Sequence, residues 1–199
     1  MKRHTVYLAS ASPRRQQLLE QVNVAYTVIK PEVDESQPGD PDPQVYTQGL
    51  AISKALDAQT KILQNVADRL PIIAADTAVF VASQILGKPK NFENAREMLS
   101  LLSGCTHEVY SSICVIHGDS KEILTQVSLV TFRKITEAEI ISYWKSGEPQ
   151  DKAGAYAIQG QAAQFIANLS GSYSGVMGLP LYELMRLLAK INQPSSTLI

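Results

Sequence analysis

Cysteine is scarce in this chain of 199 residues, which carries Cys105 and Cys114 alone. Two thiols are too few for the disulfide framework of a small secreted protein, and their odd spacing would set them on opposite faces of one continuous strand, so both read as reduced and structural. Histidine is equally sparse. His4, His107 and His117 stand in no metal-ligand spacing, there is no C-x-x-C, and nothing in the pattern supports a zinc site. An excess of either charge is also missing. Eighteen Lys and Arg against 19 Asp and Glu leave a formal net charge of -1, which gives no global drive toward nucleic acid or anionic lipid. Any handling of phosphate must therefore be local. Long hydrophobic runs are lacking as well: the opening MKRHTVYLASAS is basic, then briefly apolar, then broken by SPRR. It is expected to be neither a signal peptide nor a membrane span, and a reducing, cytoplasmic location is the expected default.

What is present is the make-up of an ordinary globular domain, 45% hydrophobic and 19% charged, long enough to remove roughly 70% of its extended-chain surface from water. One domain over residues 1–192 with a C-terminal tail at 193–199 is expected. Thr5 to Ala9 and Ala25 to Ile29 read as strands about a helix from Pro13 to Val22. The acidic, proline-rich PEVDESQPGDPDPQ reads as a loop before a long helix from Val45 to Leu63. An apolar β run follows from Pro71 to Val81, with a turn at Ser83-Gln84. A helix from Asn91 to Leu102 ends at Ser103-Gly104, where glycine suits the C-terminal cap. Glu108 to His117 and Glu122 to Arg133 read as an antiparallel pair about HGDSK. Thr136 to Lys145 opens as a capping box. Short strands are expected at Ala155 to Gln159 and Gln164 to Leu169, and an amphipathic helix from Leu181 to Ile191. This alternation with an antiparallel pair predicts an α/β protein with a mixed sheet.

Four segments could carry chemistry. Ser10-Ala11-Ser12-Pro13-Arg14-Arg15 joins a strand to a helix, with Ser12 at the N-cap position and Pro13 at the first helical position. Hydroxyls, guanidinium groups and orphan N–H groups at a helix N-terminus suit a polyphosphate, although a capped helix with solvated arginines would look the same. Asp76 stands alone in the apolar run IIAADTAVFV, where a charge costs several kcal/mol unless compensated, by rough desolvation estimates. It could orient a water or hold a metal, or merely bond backbone where the strand bends. Gly87-Lys88-Pro89 is not a Walker A loop, because the Ser/Thr position after the lysine is Pro89. Lys88, Glu35 and Lys54 are each ordinary taken singly. Finally, DKAGAYAIQG and GSYSGVMGLP are rich in glycine and small residues, so backbone can approach a ligand closely, and Gln159 offers a donor and an acceptor suited to a base edge. Tight turn packing would explain the same glycines.

Taken together, LASASPRR, A-x-x-K-A at Lys54, AADT, LGKP, ENAREMLSLLSG, THEVYSS, DKAGAYAIQG and GSYSGVMGLPL resemble the Maf family of nucleoside triphosphate pyrophosphatases, in order and in spacing, from Leu8 to about Leu188. The resemblance implies an elongated mixed β-sheet with flanking helices and two lobes around a central cleft, related to inosine triphosphate pyrophosphatases. It implies hydrolysis of a nucleoside triphosphate to the monophosphate and pyrophosphate with a divalent metal, Mg²⁺ or Mn²⁺. It assigns Ser10, Ser12, Arg14 and Arg15 to phosphate binding, Glu35, Lys54, Asp76 and Lys88 to a charged catalytic cluster, Asp76 to proton acceptance, and Glu35 and Asp76 to the metal. It also allows a homodimer.

Arg14, Thr77 and Gln159 match the positions that the dTTP- and UTP-hydrolysing subgroup uses for base selection. The 7-methyl-GTP subgroup resembles this chain less, since it has an aromatic residue after Ser-Pro and S-D-Q in place of Ala75-Asp76-Thr77. Ala78, Ala157, Gly175 and Met177 depart from the dTTP/UTP pattern and bear on fine specificity. A Maf protein of other base preference, 7-methyl-GTP or CTP-like, and a non-catalytic nucleotide-binding regulator of cell division are the competing expectations.

Overall fold

The structure, a computed structural model, describes residues 5–35, 42–63 and 70–191. The expected tail at 193–199 and the 36–41 part of the acidic loop lie outside the described residues. Chain order is β1 (Thr5–Leu8), α1 (Pro13–Gln21), β2 (Ala25–Val28), α2 (Pro43–Leu63), β3 (Ile72–Val81), β4 (Gln84–Leu86), α3 (Phe92–Leu102), β5 (Thr106–His117), β6 (Ser120–Phe132), α4 (Glu137–Lys145), β7 (Ile166–Ser170), α5 (Tyr173–Met177) and α6 (Leu181–Ile191), with 3-10 turns at Glu148–Asp151, Ala153–Ala155 and Gln161–Phe165. The strands form one mixed sheet of seven, in the order β2-β1-β3-β5-β6-β7 with β4 also on β3. β1 pairs in parallel with β2 and β3, and the other pairs are antiparallel.

The elements start where local chemistry expects. Pro13 opens α1, Asn91 caps α3 by accepting from the Asn94 N–H at 2.9 Å, and Thr136 and Glu139 close a reciprocal capping box on α4. Gly104, just past α3, takes φ +72, the left-handed conformation a helix C-terminus favours. Strand parity then sorts the core. Val6, Leu8, Ile73, Ala75, Ile113 and Val115 face α1 and α6. Tyr7, Ala9, Ile72, Ala74, Cys114 and Ile116 face the small-residue stripe Ala51, Ala55 and Ala58 of α2. A third cluster, with Val79, Val109, Val130 and Phe132 against α3, α4 and Phe165, occupies the far end of the same long strands.

Three expectations about local structure are corrected. The turn after β3 falls at Ala82-Ser83, both with positive φ of 49 and 61, and Gln84 already pairs with Val81. Residues 155–159 form no strand: Gly154 and Ala155 take φ of 66 and 59, which breaks any extended ladder. The later strand begins at Ile166 because Gln161–Phe165 is a 3-10 turn.

Candidate active site

Between the two ends of the core a polar band crosses the sheet. Asp76 lies opposite Ser112, which lies opposite Thr125, and beside them Thr77 lies opposite Ser111, which lies opposite Gln126. Buried apolar clusters lie on either side of this band, with Met177 packed against both. A cleft of about 1140 Å³ opens alongside, lined by residues of β3, the turn after β1, α2 and the 151–159 segment.

Parity sends Asp76 to the face covered by α2, where it meets Lys54 from the α2 stripe that packs on β3 and β5. The Lys54 Nζ lies 2.7 Å from Asp76 Oδ1 and 2.6 Å from Glu35 Oε1, and Lys88 Nζ lies 3.2 Å from Glu35 Oε2. Four charged residues from four segments thus form one chain, Lys88–Glu35–Lys54–Asp76. Lys54 and Asp76 side chains are 6% and 11% exposed, against 43% for Glu35 and 61% for Lys88, so the chain runs from the floor of the cleft to its rim. Asp76 sits within β3, not at a bend of it, and its carboxylate is bonded to an ammonium instead of turn backbone. Burial pushes the Asp76 carboxyl above its ordinary value, and Lys54 and Arg15 only partly oppose this. Burial also acts upward on Glu35, but the Lys54 hydrogen bond and charge, with Lys88, outweigh it and hold this carboxyl at about 2.

Thr77 points to the opposite face. Its hydroxyl lies 3.1 Å from Ser111 Oγ, which donates to the Gly175 carbonyl at 2.5 Å. Arg15 reaches the same neighbourhood, donating from Nε to the Gly178 carbonyl at 2.8 Å and from a terminal nitrogen to Ser10 Oγ at 3.1 Å. Arg15 is therefore held at both ends by the protein and is no solvated arginine. Burial lowers its pKa from the ordinary value and Asp76 acts against that. Ser12 occupies the N-cap position of α1 but makes no side-chain capping bond. Its own N–H goes to Ser10 Oγ at 3.2 Å. Arg14 turns toward Asp151, 3.6 Å away, and Gln159 is exposed on the cleft wall.

All ten residues singled out from the sequence line this one cleft. Others were missed. Asp151 and Lys152 pair with each other there, and their only signal was a charged dipeptide at the head of a glycine-rich run. The Gly178 carbonyl carries no side-chain signal at all. Ser111 lies in the THEVYSS run but had no role there, and its register with Thr77 is what reveals one. Among the described residues no group of three or more His, Cys, Asp or Glu could hold a metal by itself, and no described helix is long and apolar enough to cross a membrane.

The family model for Maf-like protein matches residues 5–191. The chain belongs to the Maf family. This Maf chain is 48% identical over 185 residues to the dTTP/UTP pyrophosphatase of Alkalilimnicola ehrlichii, with 92% of this chain and 91% of that one covered. It is 44% identical over 186 residues to the dTTP/UTP pyrophosphatase of Pseudoalteromonas atlantica, covering 93% and 96%. It is also 44% identical over 188 residues to a nucleoside triphosphate pyrophosphatase of Haemophilus ducreyi, covering 94% and 95%. Among solved structures, the Staphylococcus aureus Ham1 protein superposes with a TM-score of 0.54 at 15% identity, covering 94% of this chain and all of that one, a likeness of fold.

Proposed function

We propose that this Maf protein hydrolyses dTTP and UTP, and modified pyrimidine triphosphates of the same shape, to the monophosphate and pyrophosphate. The observation that carries the reading is the buried Lys54 ammonium between Asp76 and Glu35, on the floor of a cleft that Arg14, Arg15 and Lys88 also line. The near full-length identity to relatives named dTTP/UTP pyrophosphatase supports the choice of substrate.

In this reading Ser10, Ser12, Arg14 and Arg15 take the triphosphate. Arg15 is fixed beforehand by Gly178 and Ser10, so little ordering is left for the moment of binding. Asp76 orients a water and accepts its proton as the oxygen bonds to the α-phosphorus. The bond from that phosphorus to the bridging oxygen breaks, and pyrophosphate leaves with Lys54 and Lys88 stabilising its charge. A carboxyl raised by burial is a better base than a solvated one, which suits Asp76 to the role.

The donor set also fits a hard divalent cation. Glu35 and Asp76 already converge on one positive charge, and two carboxylates completed by phosphate oxygens and water are the usual surroundings of Mg²⁺. Glu35 and Asp76 would hold it, and when bound it would withdraw charge from the triphosphate. Thr77 and Gln159 would face the base. The unpaired thiols Cys105 and Cys114 favour a cytoplasmic setting.

The test is release of pyrophosphate and monophosphate from dTTP, UTP, CTP, GTP and 7-methyl-GTP with Mg²⁺. Highest kcat/KM for dTTP and UTP is expected. Preference for 7-methyl-GTP or CTP would overturn the substrate assignment. Binding of every nucleotide without turnover would favour a regulator.

A further inference from the structure

Gln159 sits on a turn that no strand supports, since β7 begins only at Ile166. The turn is closed by a single backbone bond, Gly160 N–H to the Ala157 carbonyl at 3.1 Å. Its placement against the cleft therefore depends on what grips its flanks. Before the turn, the Ala157 N–H donates to the Tyr143 hydroxyl at 3.2 Å, and that hydroxyl donates to Glu148 Oε1 at 2.7 Å. After the turn, the Gln161 N–H donates to Glu148 Oε2 at 2.9 Å and the Ala162 N–H to Oε1 at 3.4 Å. Gly160 lies so close over this carboxylate that any Cβ would collide with it. Glu148 also opens the 3-10 turn Glu148–Asp151, whose last residue pairs with Arg14. One turn of backbone thus ties the Gln159 segment to the arginine-bearing segment across the cleft.

A glutamine amide can match a uracil edge or, flipped, a cytosine edge. Identity alone does not make it selective. Selection requires that the amide stand at a fixed place relative to the bound phosphates, and the bracing described above supplies that.

We propose that Glu148 is a positioning residue for base selection, holding the Gln159 turn through the N–H groups of Gln161 and Ala162 directly and through Tyr143 to Ala157. The inference rests on the reading of Gln159 as the residue that meets the base. Glu148→Gln replaces one of the two acceptor oxygens by an NH₂ donor, which leaves without an acceptor either the Gln161 N–H or the Ala162 N–H and the Tyr143 hydroxyl together, and Tyr143→Phe removes the relay without entering the cleft.

The experiment compares kcat/KM for UTP and CTP in wild type, Glu148→Gln, Tyr143→Phe and Gln159→Ala, with melting temperature alongside. In Glu148→Gln the UTP:CTP ratio is expected to fall about ten-fold, the scale of one lost polar contact, through KM for UTP more than through kcat. Tyr143→Phe should move it the same way by less, and stands as the test should Glu148→Gln not fold. If both variants melt earlier yet keep the wild-type ratio while Gln159→Ala loses it, Glu148 is only a brace and the inference is overturned with the reading of Gln159 intact. If Gln159→Ala keeps the ratio, or wild type shows no discrimination, the reading of Gln159 falls and the inference with it.

Discussion

Lys54 Nζ and Asp76 Oδ1 meet at 2.7 Å, 22 positions apart in the chain, where α2 crosses the middle of β3. Both groups are almost wholly removed from water, and while Lys54 would keep Glu35 without Asp76, Asp76 would lose with Lys54 the ammonium that its carboxylate is bonded to. Removing one partner of such a pair typically costs about 3–5 kcal/mol. Lys54→Met is expected to lose stability of that order. The loss should depend on pH. With the ammonium gone, the Asp76 carboxyl, already raised by burial, rises further, so the folded state binds protons that the unfolded state releases. Stability of the variant should then fall as pH rises above the ordinary carboxyl range. Urea unfolding at pH 5 and pH 8 checks this: a variant penalty that is equal at both would contradict it.

Arg15 is fixed by two acceptors at once, the Gly178 carbonyl and Ser10 Oγ. A lysine keeps the charge but cannot make this fork. Arg15→Lys should raise KM for dTTP by roughly ten-fold, one polar contact's worth, with a smaller change in kcat. Steady-state kinetics decide between this and a wild-type KM, which would show that charge alone suffices.

His107 lies buried between Phe132 and Tyr156, edge-on to both rings, and its Nε2 is 2.9 Å from the Tyr156 hydroxyl while Nδ1 has no hydrogen-bond partner among the described residues. Burial lowers its pKa from 6.5 to about 4. The unfolded chain therefore takes up a proton at pH values where the folded one does not. This group's contribution is fully present above pH 6.5 and is lost as pH falls from there toward 4, by at most about 3 kcal/mol. His107→Gln should show a flatter decline in melting temperature over that window than wild type. Parallel declines would remove His107 as the cause.

Much of this was legible beforehand, and particular residues show why. Asp76 stood out because a carboxylate in an apolar strand demands compensation, and Pro13 and the Thr136 capping box announced helix starts. The strand β3 was announced by its apolar run from Pro71 to Val81. Lys54 was illegible on its own, since a lysine on a helix is ordinarily solvated, and only the packing of α2 across the sheet buries it. Residues 155–159 read as a strand because Ala155, Tyr156, Ala157 and Ile158 form a short apolar run, and all four are indeed buried. Their backbone is instead held by the Tyr143 hydroxyl and, at Gly154, by the Gly87 carbonyl at 3.0 Å, contacts distant in sequence that no local pattern signals. The polar band across the middle of the sheet was equally hidden, because it needs the register of three strands to be seen.

The proposed hydrolysis depends on the role of Asp76 in turnover. Its most direct test is pyrophosphate release from dTTP with Mg²⁺ by wild type and Asp76→Asn, with nucleotide binding measured on the same samples. Release by wild type is expected, with a fall on the order of 10²–10⁴ in the variant, which still binds dTTP. An Asp76→Asn protein that turns dTTP over at the wild-type rate would contradict it.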